Sequence, residues 1–197
     1  MPESRPYHHG SLRAVLLAGA ERALREKGAD ALSLRELARE AGVSPRAPVR
    51  HFKDKQALLN ELVVIGYERL GQTLLSTDDP ALPLEPRLTA FARAYLGFAI
   101  ENAELLELMY ARKHDPDASE QMTTAIDRTM GILQQVILDA QKRGEIVASE
   151  PERLALVVAV GLHGTAVFAA NGALAPEAAL DGVRDVVHHL LRGLNPR

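Results

Sequence analysis

Three side chains that lie close together in the sequence have the chemistry to bind a polyanion. Arg46, Arg50 and His51 fall within one stretch of six residues, and neither Asp nor Glu stands between them. A guanidinium donates two parallel hydrogen bonds to a phosphate, or to the acceptor edge of guanine in the DNA major groove. This spacing therefore predicts a surface that contacts nucleic acid, provided that the backbone presents the three side chains to one partner.

The residues before this cluster predict a short helix that ends in a tight turn. Ser33 caps the helix, and Glu36, three residues later, completes a capping box. Gly42 stands where a glycine commonly ends a helix. An apolar face follows from positions i, i+3, i+4 and i+7, which are Leu34, Leu37, Ala38 and Ala41.

A second short helix is predicted to follow at once. Ser44 caps it and Pro45 takes its first position, where the missing N–H costs nothing. Pro48 lies at the fourth position, where we expect only the first hydrogen bond of the helix to be lost. Two helices joined by a short turn that contains Gly are typical of the helix-turn-helix, whose second helix enters the major groove.

The charge is distributed unevenly along the chain. Residues 1–60 carry 11 Lys and Arg against 7 Asp and Glu, a net +4, and the remaining residues carry 12 against 19, a net −7, so the whole chain is −3. A basic segment attracts phosphate, whereas an acidic remainder keeps the rest of the surface from binding it. The split therefore favours DNA contact through the N-terminal part.

The composition predicts a helical protein. Hydrophobic residues make up 47% of the 197-residue chain and aromatic residues only 4%, and Ala and Leu are frequent. Further helices are predicted at about 11–27, 54–75, 84–102, 103–112, 117–143, 151–170 and 176–192, with Gly28 ending the first of these and Asp54 capping the second. No uninterrupted apolar run reaches about 18 residues and no apolar leader is visible, so neither a membrane span nor a signal peptide is expected. The absence of Cys excludes disulfides and thiolate metal sites and is consistent with a cytoplasmic protein.

Over residues 1–60 the chain resembles the TetR-type one-component transcriptional regulators. The resemblance rests on Tyr7-His8-His9-Gly10, on Leu12-Arg13, on the helix-turn-helix residues and on Phe52-Lys53-Asp54-Lys55-Gln56-Ala57-Leu58-Leu59. It implies an all-α fold of about nine helices, with a three-helix DNA-binding domain at 1–54, including an arm at 1–10. The fourth helix would join this domain to an effector-binding and dimerisation domain at 55–197. Leu162-His163-Gly164 also resembles a subgroup with a His-Gly pair in the penultimate helix, although the Trp of that subgroup is missing here.

The resemblance also implies roles for individual residues at the DNA. Contacts to the phosphate backbone are expected from Ser33, Arg35, His51 and Lys55, and base-reading positions are Ser44, Pro45, Arg46, Ala47 and Arg50. Arg46 is the best candidate for a bidentate contact to guanine. Val49 departs from the family, which usually has a Tyr there whose hydroxyl reaches a phosphate. A valine touches only a sugar or a thymine methyl group, so this position puts the DNA affinity in question.

The helix predicted at 151–170 is apolar on nearly all sides, which requires burial on all sides. We expect a homodimer in which this helix and the last one pack against their copies, and Gly161 and Gly164 allow close approach. The interface residues predicted on the last helix are Leu180, Val183, Val187 and Leu190. The alternative is that the apolar helix forms the central core of a monomer.

The C-terminal part is expected to hold an unknown small-molecule effector. Candidate pocket residues are Phe91, Tyr95, Phe98, Tyr110, His114, Met122, Met130, His163 and Phe168, each of which could equally be core. His163 lies in an apolar helix and needs a polar partner, either a ligand or a buried carbonyl or carboxylate. No cofactor or metal is predicted, and His114 with Asp115 is a weak metal pair at best.

The function predicted from the sequence is a repressor that a small molecule releases from a palindromic double-stranded operator. One alternative is a dimeric small-molecule-binding protein of the same fold with weakened operator specificity, as Val49 would favour. The other is an enzyme, which the sequence disfavours because it has no Gly-rich phosphate loop, nucleophile elbow or paired His-Glu metal motif.

Overall fold

The computed structural model describes residues 9–115 and 118–194. These residues form eight α-helices and one 3-10 helix, and they include no strand. The α-helices are α1 (His9–Lys27), α2 (Leu34–Glu40), α3 (Lys55–Thr77), α4 (Leu84–Glu101), α5 (Ala103–Ala111), α6 (Glu120–Lys142), α7 (Pro151–Ala170) and α8 (Pro176–Leu194), and the 3-10 helix spans Pro48–Arg50. The predicted all-α fold is confirmed. Most of the arm predicted at 1–10 lies outside the described residues.

The chain divides into two compact units. The first comprises the described residues up to Gly66 together with Glu104–Met122, and the second comprises Tyr67–Ala103 and the residues from Thr123 onward. Helix α3 contributes residues 55–66 to the first unit and 67–77 to the second. The functional boundary after residue 54 stays a prediction.

Local sequence signals position the helices of the first unit. Gly28 and Gly42 follow α1 and α2 with φ of 77° and 67°, which only glycine adopts without strain. After α2, the amide of Val43 donates to the carbonyl of Ala38 at 3.0 Å, which closes the turn that leads to the basic cluster. A Cβ on Gly19 would lie 3.1 Å from Leu37 Cδ2, so the bare glycine allows α1 and α2 to pack closely.

The caps predicted for α2 and α3 have different outcomes. Asp54 caps α3, since the amide of Ala57 donates to its Oδ1 at 2.8 Å. The capping box at α2 is wrong: Ser33 has the extended backbone of a cap, but its hydroxyl makes no capping bond. The carboxylate of Glu36 forms an ion pair with the ammonium group of Lys27 instead, at 3.3 Å. This ion pair competes with the hydrogen bond from the backbone amide of Ser33 that a capping box requires.

In the second unit, α4, α7 and α8 pack against one another. Their shared core includes Leu88, Leu96, Val158, Leu162 and Val187, all of which are buried. Residues 67–77 of α3 lie close to α6. A Cβ on Gly71 of α3 would lie only 3.2 Å from Thr129 Oγ1 of α6. The periodicity of the sequence predicts these helices. The packing between them determines which face of each helix remains exposed.

Candidate nucleic-acid interface and helical body

The segment from Ser44 to His51 is not the α-helix that the sequence predicts. The amide of Ala47 donates to the carbonyl of Ser44 at 2.9 Å, and that of His51 donates to Pro48 at 2.9 Å. The amide of Arg50 donates to Ala47 at 3.3 Å, so each of these bonds spans three residues rather than four. The expectation of a regular helix was wrong because Pro48 has no N–H for the carbonyl of Ser44, and in an α-helix its ring would clash with that carbonyl.

The predicted DNA contacts nevertheless lie together on the first unit. Pro48 is buried and anchors the segment, which packs on α2. The exposed members of the predicted set are Arg35, Ser44, Pro45, Arg46, Val49 and Arg50, and the partly exposed members are Ser33, Ala47, His51 and Lys55. Among the described residues, Arg46 and Arg50 make no ion pair, so both guanidinium groups are available to a ligand.

Lys55 has a partner within its own chain. Its Nζ donates to the carbonyl oxygen of Asp30 at 2.7 Å, which ties the start of α3 to the loop between α1 and α2. An ammonium group has three N–H donors, so two remain for a phosphate oxygen. This contact fixes where the ammonium group lies, and the phosphate contact itself stays a prediction.

The first unit also contains a polar cleft that the sequence did not predict. The cleft has a volume of about 870 Å³ and is lined by residues of α1, α3, the Phe52 region and the chain around Arg112. Arg112 donates from Nη1 to Gln56 Oε1 at 2.6 Å, from Nε to Asn60 Oδ1 at 2.8 Å and from Nη2 to Asp115 Oδ2 at 2.6 Å. The i, i+4 spacing of Gln56 and Asn60 was a readable signal that they share a helix face, but nothing local points to Arg112.

Arg13 is a second residue of the cleft with two partners. It forms an ion pair with Glu61 of α3, and its guanidinium carbon lies 5.7 Å from the centroid of the Phe52 ring. These contacts join α1, α3 and Phe52, the residue that directly follows the 44–51 segment, within one unit. The segment that carries Arg46 and Arg50 is therefore connected to α1 and α3 through side-chain contacts.

The predicted effector residues do not form a single set. Tyr110, His114 and Met122 belong to the first unit, where Met122 is fully buried and His114 is exposed. The others belong to the second unit: Phe91, Tyr95 and Phe98 are buried, Met130 and His163 are partly buried, and Phe168 is exposed. The residues that the sequence predicts for one effector pocket therefore lie in two different units.

One pair among these candidates is in contact. Tyr95 Oη and His163 Nδ1 lie 2.9 Å apart, within hydrogen-bond distance, and join α4 to α7. His163 was expected to need a polar partner, and a tyrosine hydroxyl is one that it has. Elsewhere in the second unit the buried guanidinium of Arg87 pairs with Asp78 and Asp139. Within the described parts of the chain, no group of three or more His, Cys, Asp or Glu residues is placed to hold a metal ion.

Helix α7 is apolar on two opposite faces. One face is buried against α4 and α8 and consists of Leu154, Ala155, Val158, Leu162, Ala166 and Ala169. The other face is exposed and consists of Leu156, Val157, Val160, Gly164, Val167 and Phe168, which we call the outer face of α7. Of the helices within the described ranges, α7 alone is long and apolar enough to cross a membrane by length and composition, a test that a buried core helix also passes.

The residues predicted for a dimer interface are placed unequally. Val183 and Val187 are buried within their own protomer, whereas Leu180 and Leu190 are partly exposed. A Cβ on Gly161 would lie 3.0 Å from Leu190 of the same chain, so this glycine serves packing within the protomer. Gly164 lies on the outer face, and a Cβ there would meet no atom within 4 Å. Val183, Val187 and Gly161 therefore pack within their own protomer and not in the predicted interface, and the dimer itself stays a prediction.

Comparison with known sequences identifies the family. Residues 16–62 match the family model described as bacterial regulatory proteins, tetR family, and residues 88–194 match the one described as tetracyclin repressor-like, C-terminal domain. The second match alone covers more than half of the chain. The chain belongs to the TetR family. The resemblance over the first 60 residues is thereby confirmed, and the His-Gly subgroup stays a prediction.

Individual relatives of this TetR-family protein agree with the assignment. It is 30% identical over 132 residues to HTH-type transcriptional regulators of Mycobacterium bovis and Mycobacterium tuberculosis, a stretch of 64% of this chain and 53% of theirs. The chain thus spans about half the length of the curated relatives it matches.

Solved structures extend the likeness over almost the whole chain. A protein of unknown function from Rhodococcus sp. RHA1 is 43% identical with a TM-score of 0.88, and the match covers 98% of this chain and 100% of that one. A tetR-family regulatory protein from Rhodococcus RHA1 is 20% identical with a TM-score of 0.74, covering 94% and 98% of the two chains, and shows that the fold is shared.

Proposed function

We propose that this TetR-family protein is a homodimeric transcriptional repressor that a small-molecule effector releases from a palindromic operator in the cytoplasm. The observation that carries the proposal is segment 44–51, in which no acid occurs and in which Arg46 and Arg50 are exposed and make no ion pair among the described residues. Arg46 and Arg50 would read base edges, and Arg35, His51 and Lys55 would bind phosphates. The net +4 of residues 1–60 would draw this surface to DNA, and the net −7 elsewhere would orient it.

The outer face of α7 supports the dimer. Leu156, Val160 and Phe168 are about 60% exposed, and they form a stripe along one helix with Gly164 between them. A contiguous apolar stripe of this kind marks an interaction site. In a two-fold dimer the same stripe meets its own copy, and Gly164 lets the helices approach. Leu180 and Leu190, which are partly exposed on α8, would lie at the edge of this contact.

The interior of the second unit supports an effector that is mainly apolar with one polar group. Phe91, Tyr95 and Phe98 are buried on α4, and Tyr95 and His163, which lie within hydrogen-bond distance of each other, form one polar pair at this position. A ligand that binds one conformation better shifts the population toward it. Coupling to DNA is typically worth about 1–3 kcal/mol, or about 5- to 150-fold in operator affinity.

The test is selection of duplexes from a random pool, followed by titration. The proposal expects a pseudo-palindromic sequence whose half-sites lie about one helical turn or a little more apart. A compound screen read out by fluorescence anisotropy of that duplex should find a small apolar molecule that lowers the affinity. Selection that enriches no sequence, or a screen in which no compound distinguishes free from DNA-bound protein, would contradict the respective part of the proposal.

The second candidate is a dimeric ligand-binding protein of the same fold that has lost operator specificity. Val49, which is 53% exposed on the DNA-reading segment and has no hydroxyl, favours it. Such a protein would bind all duplexes alike and would still bind the effector. Comparing the selected duplex with a scrambled duplex at one salt concentration separates the two candidates, because phosphate contacts contribute equally to both duplexes.

A further inference from the structure

The hydrogen bonds of the 44–51 segment affect the angle between the side chains of Arg46 and Arg50 around the helix axis. The bonds from Ala47 to Ser44, from Arg50 to Ala47 and from His51 to Pro48 join residues three apart, and a bond that spans four residues follows only from Phe52 to Pro48, at 2.9 Å. Such a 3-10 backbone has about 3.0 residues per turn, whereas an α-helix has about 3.6. Successive side chains are therefore rotated by about 120° instead of about 100°.

This difference accumulates over the four residues from Arg46 to Arg50. In an α-helix the two side chains would lie about 40° apart around the axis, on one face. A 3-10 backbone through all four residues would place them about 120° apart, and because the 3-10 helix itself spans only Pro48–Arg50, their separation lies between these two values. An α-helix would put both side chains on one face, whereas the wider separation favours separate base pairs as their targets.

Pro48 disfavours an α-helix at the start of the segment. In an α-helix the carbonyl of Ser44 would accept a hydrogen bond from residue 48, but proline has no N–H. That carbonyl accepts instead from Ala47 at 2.9 Å, which is the first of the three-residue bonds. Pro48 is also buried while Val49 and Arg50 beside it are exposed, so its own ring has no access to a DNA duplex.

We propose that Pro48 is a specificity-determining positioning residue, which sets the base pairs that Arg46 and Arg50 read without touching DNA itself. The inference rests on the proposed DNA-binding function and adds to it the residue that sets the direction of the reading side chains. A residue at position 48 that carries an N–H restores the missing donor to Ser44. The segment then has the bond that an α-helix needs, and both arginines turn toward one face.

The test compares Pro48→Ala with the unaltered protein by duplex selection from a random pool. The expected result is a half-site that differs at one or more base positions, with the affinity for scrambled duplex within about threefold of the unaltered protein, because the phosphate contacts remain. The matched control is Pro86→Ala, an exposed proline in the first turn of α4, where a backbone N–H has no helical partner. Thermal unfolding of each variant checks that the fold is retained.

Two results of this selection would overturn the proposal. The first is that folded Pro48→Ala enriches the same half-site with the same base preferences as the unaltered protein. The second is that it loses specific and scrambled duplex alike. Failure of the unaltered protein to bind any duplex would instead refute the proposed function, independently of Pro48.

A second measurement keeps Pro48 in place and decides the matter if Pro48→Ala does not fold. Arg46→Ala, Arg50→Ala and the double variant are titrated on the duplex that the unaltered protein selects. If the two arginines read separate targets, the loss of affinity in the double variant equals the product of the single losses within about twofold. A double loss that differs from the product by about fivefold or more would mean that the two side chains share a target, which would overturn the proposal.

Discussion

The guanidinium of Arg87 forms a bidentate ion pair with the carboxylate of Asp78. Arg87 Nε donates to Asp78 Oδ1 at 2.6 Å and Nη2 donates to Oδ2 at 2.9 Å, which is the bidentate geometry of the strongest ion pairs. Nη1 donates to Asp139 Oδ2 at 3.0 Å. Arg87 is 1% exposed, so a buried cation holds together α4, α6 and the loop that follows α3.

Removal of this cation should destabilise the second unit strongly. Arg87→Met keeps most of the side-chain volume but leaves two carboxylates without their partner, and breaking a buried pair on one side typically costs about 3–5 kcal/mol. We expect the lower half of that range, because Asp78 and Asp139 keep side-chain exposures of 15% and 23%. Urea unfolding followed by circular dichroism measures the loss.

The control for this variant lies on the same helix. Arg93→Met removes an exposed guanidinium whose Nη1 donates to the carbonyl of Leu180 at 2.9 Å. We expect it to cost less than about 1 kcal/mol, as surface contacts commonly do. Equal losses for the two variants would contradict a special role of the buried cluster.

The same cluster should make stability depend on pH in the acid range. Burial raises the pKa of the Asp139 carboxyl, but hydrogen bonds from Arg87 and Gln135, together with the positive charges of Arg87 and Lys142, outweigh burial, so the pKa lies below its ordinary value of 3.8. A depressed pKa in the folded state contributes stability that is complete above the unfolded pKa and is lost as the pH falls toward the folded pKa. Stability should therefore fall below about pH 4, and Asp139→Asn should be less stable at pH 7 with a flatter profile below that pH.

The profile is measured by urea unfolding at several pH values between neutrality and acid. Asp127→Asn, which changes an exposed acid of the same helix, is the control and should keep the profile of the unaltered protein. Glu145 contributes in the same direction. Burial raises the pKa of its carboxyl, but bonds from Arg143 and from the amide of Leu84 lower it below 4.5. If Asp139→Asn left the slope unchanged, Glu145 would have to carry the dependence.

Val160→Glu should separate the proposed dimer. The side chain is 63% exposed on the outer face of α7, so a carboxylate there costs the protomer little. Facing its own copy across a two-fold axis, it would bury two like charges in an apolar contact. Sedimentation should give a monomer with unchanged helix content, whereas Ala178→Glu on the exposed side of α8 should remain dimeric. A monomeric unaltered protein at micromolar concentration would refute the dimer.

Local signals in the sequence predicted most helix boundaries. Asp54 caps α3, and Gly28 and Gly42 end helices with positive φ, because each of these effects depends only on neighbouring residues. The sequence predicts that Pro48 removes only the first hydrogen bond of the helix. In an α-helix its ring would also clash with the carbonyl of Ser44, and a count of hydrogen bonds does not show this clash.

Contacts between distant residues could not be predicted in this way. Arg87 meets Asp139 across 52 positions of sequence, and no periodicity within α4 or α6 pairs them. The sequence also described α7 as apolar on nearly all sides without indicating which face turns inward. Packing against α4 and α8 decides this, and the same packing uses the single apolar stripe of α8, which removes Val183 and Val187 from the surface.

Val49→Tyr tests the departure from the family at the DNA. The side chain of Val49 is 53% exposed on the 3-10 helix, so a larger residue has room in the free protein. A hydroxyl that donates to a phosphate is worth about 1.5–3 kcal/mol at best. With one such bond in each half of a dimer, operator affinity should rise at least about tenfold, since about 1.4 kcal/mol is one decade.

Val49→Phe is the matched control because it adds the ring without the hydroxyl. If Tyr tightens binding and Phe does not, the gain comes from the hydrogen bond, and the gain should be equal on operator and scrambled duplex because every nucleotide carries a phosphate. Neither substitution adds charge, so the slope of log affinity against log salt should stay the same.

If both variants tighten operator binding alone, the ring contacts a base. If neither changes affinity while Arg46→Ala abolishes operator binding, position 49 faces away from the groove wall in the complex, and the second candidate function loses the observation that favours it.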